Sequence, residues 1–169
     1  VTQSASYTYD SNRNLLTATD SNGVKTTYNY FSNSKGLPTS VIVADSSNQL
    51  KTLTSYTYTD NYNYLSAVTD ASGALTQYTY NTAKGLVTKI TDPNGNETVY
   101  EYDPNNDRLL SVSNPSTTAE TEFAYNASGQ TTQISNSDVA YNLSYDTFGR
   151  PTGVKIKNTT LSTNSYNAD

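Results

Sequence analysis

Apolar and polar positions alternate along this chain in short runs, and the alternation restarts at a period of about 22 residues, in the range that marks a repeat array. Each restart is an aromatic, one other residue and a tyrosine. The pairs are Tyr7/Tyr9, Tyr28/Tyr30, Tyr56/Tyr58, Tyr78/Tyr80, Tyr100/Tyr102 and Phe123/Tyr125, with Leu143 and Tyr145 in the same places of a degenerate copy. The spacing from Tyr7 to Leu143 is nearly even, with one long copy between Tyr28 and Tyr56. Residues two apart share one face of a strand, so each pair predicts a strand with one aromatic face.

The rest of each copy follows a fixed order. A polar turn comes after the second aromatic and ends in Gly36, Gly85, Gly129 or Gly149, with Asn14 expected in that slot in the first copy and Tyr64 in the third. Gly and Asn accept the positive φ that hairpin turns demand. Aliphatic residues follow, such as Leu15/Leu16, Val41/Val43, Leu65/Val68 and Leu109/Val112. A second turn closes the copy: "TDSNG" (19–23), "TDASG" (69–73), "TDPNG" (91–95). Asp caps such a turn through its side chain and Gly closes it. One copy is therefore two strands and two turns. The expected fold is all-β, a single curved antiparallel meander of tandem hairpins with about fourteen strands. The copies are expected at 5–27, 28–55, 56–77, 78–99, 100–122, 123–140 and 141–157, with 158–169 a truncated tail or the start of another. No stretch shows a capped helical period of useful length.

Composition explains how thin the core must be. Ile, Leu, Val and Phe make up 29 of 169 residues, about 17%. Fractions this low go with disorder when charge is high, but here the net charge is −5 and only 15% of residues are charged. Sixteen Tyr, with no Trp, supply the missing apolar area. Tyr and Thr favour strands, so an ordered β protein is expected. No Lys/Arg cluster exists to neutralise phosphates, and no nucleic-acid partner is expected. No apolar run approaches the ~18 residues of a membrane-spanning helix, and no membrane span is expected. The chain opens on "VTQSASYTYD", already inside the pattern, and reads as an excised piece of something longer.

Chemistry is scarce. Without His or Cys the usual bases, nucleophile pairs and soft-metal ligands are absent. No catalytic residue, cofactor or metal site is expected. Asp20, Asp70 and Asp92 share one turn slot, which marks them as turn formers. "DPNGNE" (92–97) and "DPNNDR" (103–108) have calcium-loop letters but lack Gly at the sixth position. The repeat aromatics read as the packing of the fold. Tyr62 and Tyr64 fall outside the regular slots and are the candidate exposed ligand contact.

"YDTFGR" (145–150) and "YNASGQ" (125–130), with "YTYD" (7–10) and "YEYD" (100–103), resemble the YD repeats of bacterial RHS-type and wall-associated proteins, which metazoan teneurins share. The resemblance covers roughly residues 5–157. It implies a strip of a long sheet that spirals into a hollow shell around a variable C-terminal domain, often a toxin. The partners it implies are the other repeats and that cargo domain, in a secreted or cell-surface bacterial protein. The family also has a self-cleaving region with Asp-Pro-x-Gly motifs. "DPNG" (92–95) matches those letters but aligns with "DSNG" (20–23) and "DASG" (70–73), so it reads as an ordinary turn. Open sheet edges add an expectation of edge-to-edge self-association. The alternative reading is a carbohydrate-, cell-wall-binding or adhesion module that uses exposed Tyr.

Overall fold

The computed structural model describes residues 4–32, 36–44, 47, 49–59, 61 and 64–167. These hold fifteen strands and no helix: β1 (Ser6–Tyr9), β2 (Leu15–Thr19), β3 (Lys25–Tyr30), β4 (Pro38–Ala44), β5 (Leu50–Tyr58), β6 (Leu65–Asp70), β7 (Leu75–Asn81), β8 (Leu86–Thr91), β9 (Glu97–Tyr102), β10 (Leu109–Ser113), β11 (Glu120–Tyr125), β12 (Thr131–Ser135), β13 (Ala140–Tyr145), β14 (Pro151–Ile156) and β15 (Thr159–Thr163). The strand beyond the expected fourteen is β15, from the stretch after the seventh copy. The chain divides into two compact units, Val1–Leu86 with Thr91–Gly95, and Val87–Ile90 with Asn96–Asp169. In the first, β1 to β7 pair consecutively and antiparallel. In the second, β9 to β15 do the same.

The two faces differ because the sequence alternates. Directly opposite Tyr28, Tyr56, Tyr100 and Phe123 stand Val41, Val68, Val112 and Ile134. Leu143 faces Val154 in the same way. Such aromatic–β-branched pairs contribute roughly 0.2–1 kcal/mol each. The other face carries hydroxyls and amides. Thr8 and Thr17 hydroxyls meet at 2.6 Å, and Asn29 donates to Ser40 Oγ at 2.9 Å. With one layer there is no interior. Among the described residues only Ala44, Ser111 and Gly153 are buried. Stability must therefore come from many small neighbour terms rather than from a few deeply buried side chains.

Both kinds of turn are built alike. Asp10 Oδ1 accepts the N–H groups of Asn12 and Asn14, each at 2.8 Å, while its carbonyl accepts Arg13 N–H at 3.1 Å. Asp20 Oδ1 accepts Asn22 and Val24 N–H at 2.8 and 2.9 Å, and its carbonyl accepts Gly23 N–H at 3.1 Å. Asp70 and Asp146 head the same arrangement. The residue three after the Asp takes positive φ, as three-residue hairpin loops require. In the turns that follow the aromatics the positive-φ residue is Arg13 (68°), Gly36, Gly85, Asp107 (61°), Gly129 or Gly149, and at Gly85 and Asp107 it comes four rather than three after the residue whose carbonyl accepts its N–H. The slot expected at Asn14 is therefore filled by Arg13. Tyr64 is likewise misplaced by the sequence reading. Its carbonyl accepts Thr59 N–H at 2.9 Å, as Asn14 accepts from Asp10 and Gln130 from Asn126. It stands one residue beyond the slot, in the regular place of Asn14, Arg108 and Gln130.

One feature of the hairpins has no sequence signal. The register slips by one residue at the second aromatic in six of them. Tyr125 faces Thr131 while Ala124 faces Gln133, so Thr132 is left over. Leu16, Thr39, Ser66, Leu110 and Thr152 are left over in the same way. Bulges of this kind bend the strand and increase its twist.

Candidate functional site

The chemistry of this chain is concentrated where one copy meets the next, along the edge carrying the first turns. Two kinds of side chain cross that junction.

The first is the second aromatic. Tyr30 donates its hydroxyl proton to the Leu15 carbonyl at 3.0 Å, and Tyr58 to that of Pro38 at 2.9 Å. Tyr102 reaches Val87, Tyr125 reaches Leu109 and Tyr145 reaches Thr131, at 2.9, 2.8 and 2.8 Å. Each acceptor lies two residues beyond the positive-φ residue of the preceding copy. Neighbouring strands are only ~4.8 Å apart, so a phenol spans to the adjacent backbone, and its donor is used there. Burial pushes the phenols of Tyr58, Tyr80 and Tyr102 upward, with the adjacent Tyr of each pair adding to the shift. Tyr30 is raised by burial first and by the Asp10 carboxylate second.

Tyr166 makes the same bond to Pro151 at 2.8 Å. The sequence reading passed over it, although it follows Tyr145 at the interval that separates the second aromatics of neighbouring copies. Among the described residues β1 is the first strand, and its Tyr7 and Tyr9 are 58% and 59% exposed.

The second crossing side chain is the one just after the slot. A Cβ on Gly36 would lie 2.9 Å from Asn14 Oδ1, and one on Gly85 2.9 Å from the Tyr64 hydroxyl. On Gly129 it would lie 2.5 Å from Arg108 Nη2, and on Gly149 3.1 Å from Gln130 Nε2. These glycines are thus fixed by backbone sign and by room for the preceding copy. The crossing groups also bond forward. Gln130 Nε2 donates to the Gly149 carbonyl at 2.8 Å, and Arg108 lies 5.7 Å over the Tyr125 ring. Tyr64 stacks on Tyr80 with centroids 4.9 Å apart. Arg150 sits 4.4 Å over Tyr166. Of the candidate ligand pair, Tyr64 is therefore half-buried and engaged with the next copy, and Tyr62 lies outside the described residues.

Four of the acidic residues that head turns, Asp10, Asp70, Asp103 and Asp146, are lowered from the ordinary carboxylate value. The Asn14 side-chain amide, then its backbone N–H, lowers Asp10. The Ser72 hydroxyl does so first for Asp70, and the Asn105 N–H for Asp103. At Asp146 burial works upward, but the backbone and guanidinium of Arg150 outweigh it. The Asp92 carboxylate in "DPNG" accepts Asn94 N–H at 2.9 Å, the ordinary turn geometry of Asp20 and Asp70.

A tyrosine that crosses, a carboxylate that caps and a glycine that makes room recur together. Residues 80–119, which hold Tyr80, Gly85, Tyr102 and Asp103, match the RHS repeat family. The chain carries an RHS repeat. Its Tyr-Asp pairs have a division of labour: the Tyr ties back to the preceding copy and the Asp caps its own turn. No curated protein matches the chain. Among solved structures it superposes on one in a crystal structure of TcdB2-TccC3-Cdc42 with a TM-score of 0.73 and 17% identity, covering 96% of this chain and 9% of that one. A Photorhabdus luminescens Tc holotoxin pore with the TccC3-D651A mutation gives 0.70 at 18% identity, over 93% of this chain and 9% of the other. A TcdB2-TccC3 crystal structure gives 0.71 at 18%, over 95% and 10%. At such identities the likeness is one of fold. The RHS-repeat chain spans about a tenth of the length of these neighbours.

Proposed function

We propose that this chain is a strip of wall: a non-enzymatic segment of a larger RHS-repeat protein whose shell encloses or displays a C-terminal domain. The carrying observation is the junction itself. The hydroxyls of Tyr30, Tyr58, Tyr102, Tyr125 and Tyr145 and the side chains of Asn14, Tyr64, Arg108 and Gln130 reach neighbouring copies, so on this reading the sheet grows by addition into a wall one strand-layer thick. The likeness to Tc toxin structures supports a cargo of toxin type and a place outside the producing bacterium, secreted or on its surface. The partners on this reading are the remaining repeats and the cargo. The test is limited proteolysis of the full-length protein. The C-terminal domain should survive while the repeats are native and be digested once denaturant opens them. Equally fast digestion in the native state overturns the proposal.

A second reading, glycan or cell-wall binding, is favoured by one groove of about 600 Å³ lined by Tyr58, Tyr64, Ser66 and Thr82. It pairs aromatic rings with hydroxyls, as a sugar face requires. Titration with cell-wall polysaccharides decides it. Saturable binding lost in Tyr64→Ala makes this a recognition module, and silence across the panel removes that reading.

A further inference from the structure

The face opposite the tyrosines is mostly neutral, with hydroxyls and amides bonded across strands, as where Gln133 donates to Asn142 at 3.0 Å. One place differs. Ser111 on β10 stands directly opposite Glu101 on β9 and Glu122 on β11. The two carboxylates therefore flank its hydroxyl on one face. Glu120, two residues before Glu122 on the same face, completes the rim of a cavity of about 280 Å³. Ser135 Oγ donates to Glu122 Oε2 at 3.4 Å from the far side.

Two observations point to a guest. Ser111 is only 5% exposed, and its Oγ has no hydrogen-bond partner. A buried hydroxyl left unpaired is unfavourable. Carboxylates gathered on one face repel one another too. A cation that also donates a hydrogen bond relieves both at once. The shape selects its kind. Glu101 and Glu122 sit on strands two apart, with roughly 9–10 Å between their backbones. Among the described residues no three acidic groups converge as a metal ion would need. A planar guanidinium fits the gap, presenting N–H groups to a carboxylate on each side.

We propose that this cavity seats an arginine side chain from a polypeptide lying on the polar face, with its guanidinium paired to Glu101 and Glu122 and one N–H donated to Ser111 Oγ. The proposal is independent of whether the chain encloses a cargo. It is tested by calorimetric titration of the protein with a capped tetra-arginine peptide at physiological salt, with the tetra-lysine peptide and calcium chloride as separate arms. Glu101→Gln and Glu122→Gln should each weaken arginine-peptide binding about tenfold. Ser111→Ala should weaken it several-fold and melt no lower than the parent. Asp138→Asn removes the same charge from an exposed turn and should change nothing. The lysine peptide should bind more weakly. An equal loss in Asp138→Asn, absence of saturable binding, calcium that displaces the peptide, or a Ser111→Ala variant that melts markedly lower would each overturn it.

Discussion

At the scale of single residues, the tyrosine hydroxyl and the slot glycine divide the work of the junction. A neutral intramolecular hydrogen bond contributes about 0.5–1.5 kcal/mol net. Tyr125→Phe, which removes only the donor to the Leu109 carbonyl, should cost about that much in chemical unfolding. Tyr7→Phe should cost nothing measurable, because that ring is 58% exposed at the first strand. The glycines separate by position. Gly23 has φ 82° but open space where a Cβ would go, so Gly23→Ala should incur only backbone strain, about 1 kcal/mol. Gly129→Ala meets the Arg108 guanidinium as well and should cost about 2–3 kcal/mol. Arg108→Ala in the Gly129→Ala background should recover part of the loss, which a double-mutant cycle would measure.

At the scale of the element, the hairpin is a local object and titrates as one. Asp10, Asp70, Asp103 and Asp146 are all lowered from 3.8 in the folded chain. Their contribution to stability is present above the unfolded value and is lost as pH falls through the folded ones. Tyr30, Tyr58, Tyr80 and Tyr102 are raised above 10.0. Their contribution is complete below that value and is lost as pH rises through the folded values. Urea midpoints should therefore be flat between about pH 5 and 9 and fall on both sides. The acid limb should shrink in Asp10→Asn. These turns were readable in the chain because an Asp followed by Gly or Asn at fixed offset acts within five residues. The bulge was not readable. Thr132 or Leu110 differs in no way from its neighbours as a strand former, and its exclusion from the ladder depends on what the opposing strand presents.

At the scale of the whole molecule, stability is a sum over neighbours, and the ends of the sheet are different from its middle. The outer strand β15 is exposed along its length, and Leu161 is 55% exposed. Such an edge is a template for another strand. The protein should self-associate with rising concentration in sedimentation, and Leu161→Lys should suppress that association. Association unchanged in Leu161→Lys would place the contact elsewhere.

The repeat period, the alternation of faces and the turn chemistry were written in the linear chain, because each depends on the order of residues along it and on neighbours a few places apart. Three features were settled only by the folded sheet. Tyrosine hydroxyls bind the preceding backbone, Tyr64 and Arg108 lie over the glycines of the following copy, and Glu101 and Glu122 flank Ser111 from either side. All three depend on register between strands. A shift of one residue turns every side chain to the other face, so no inspection of one copy alone could have placed them.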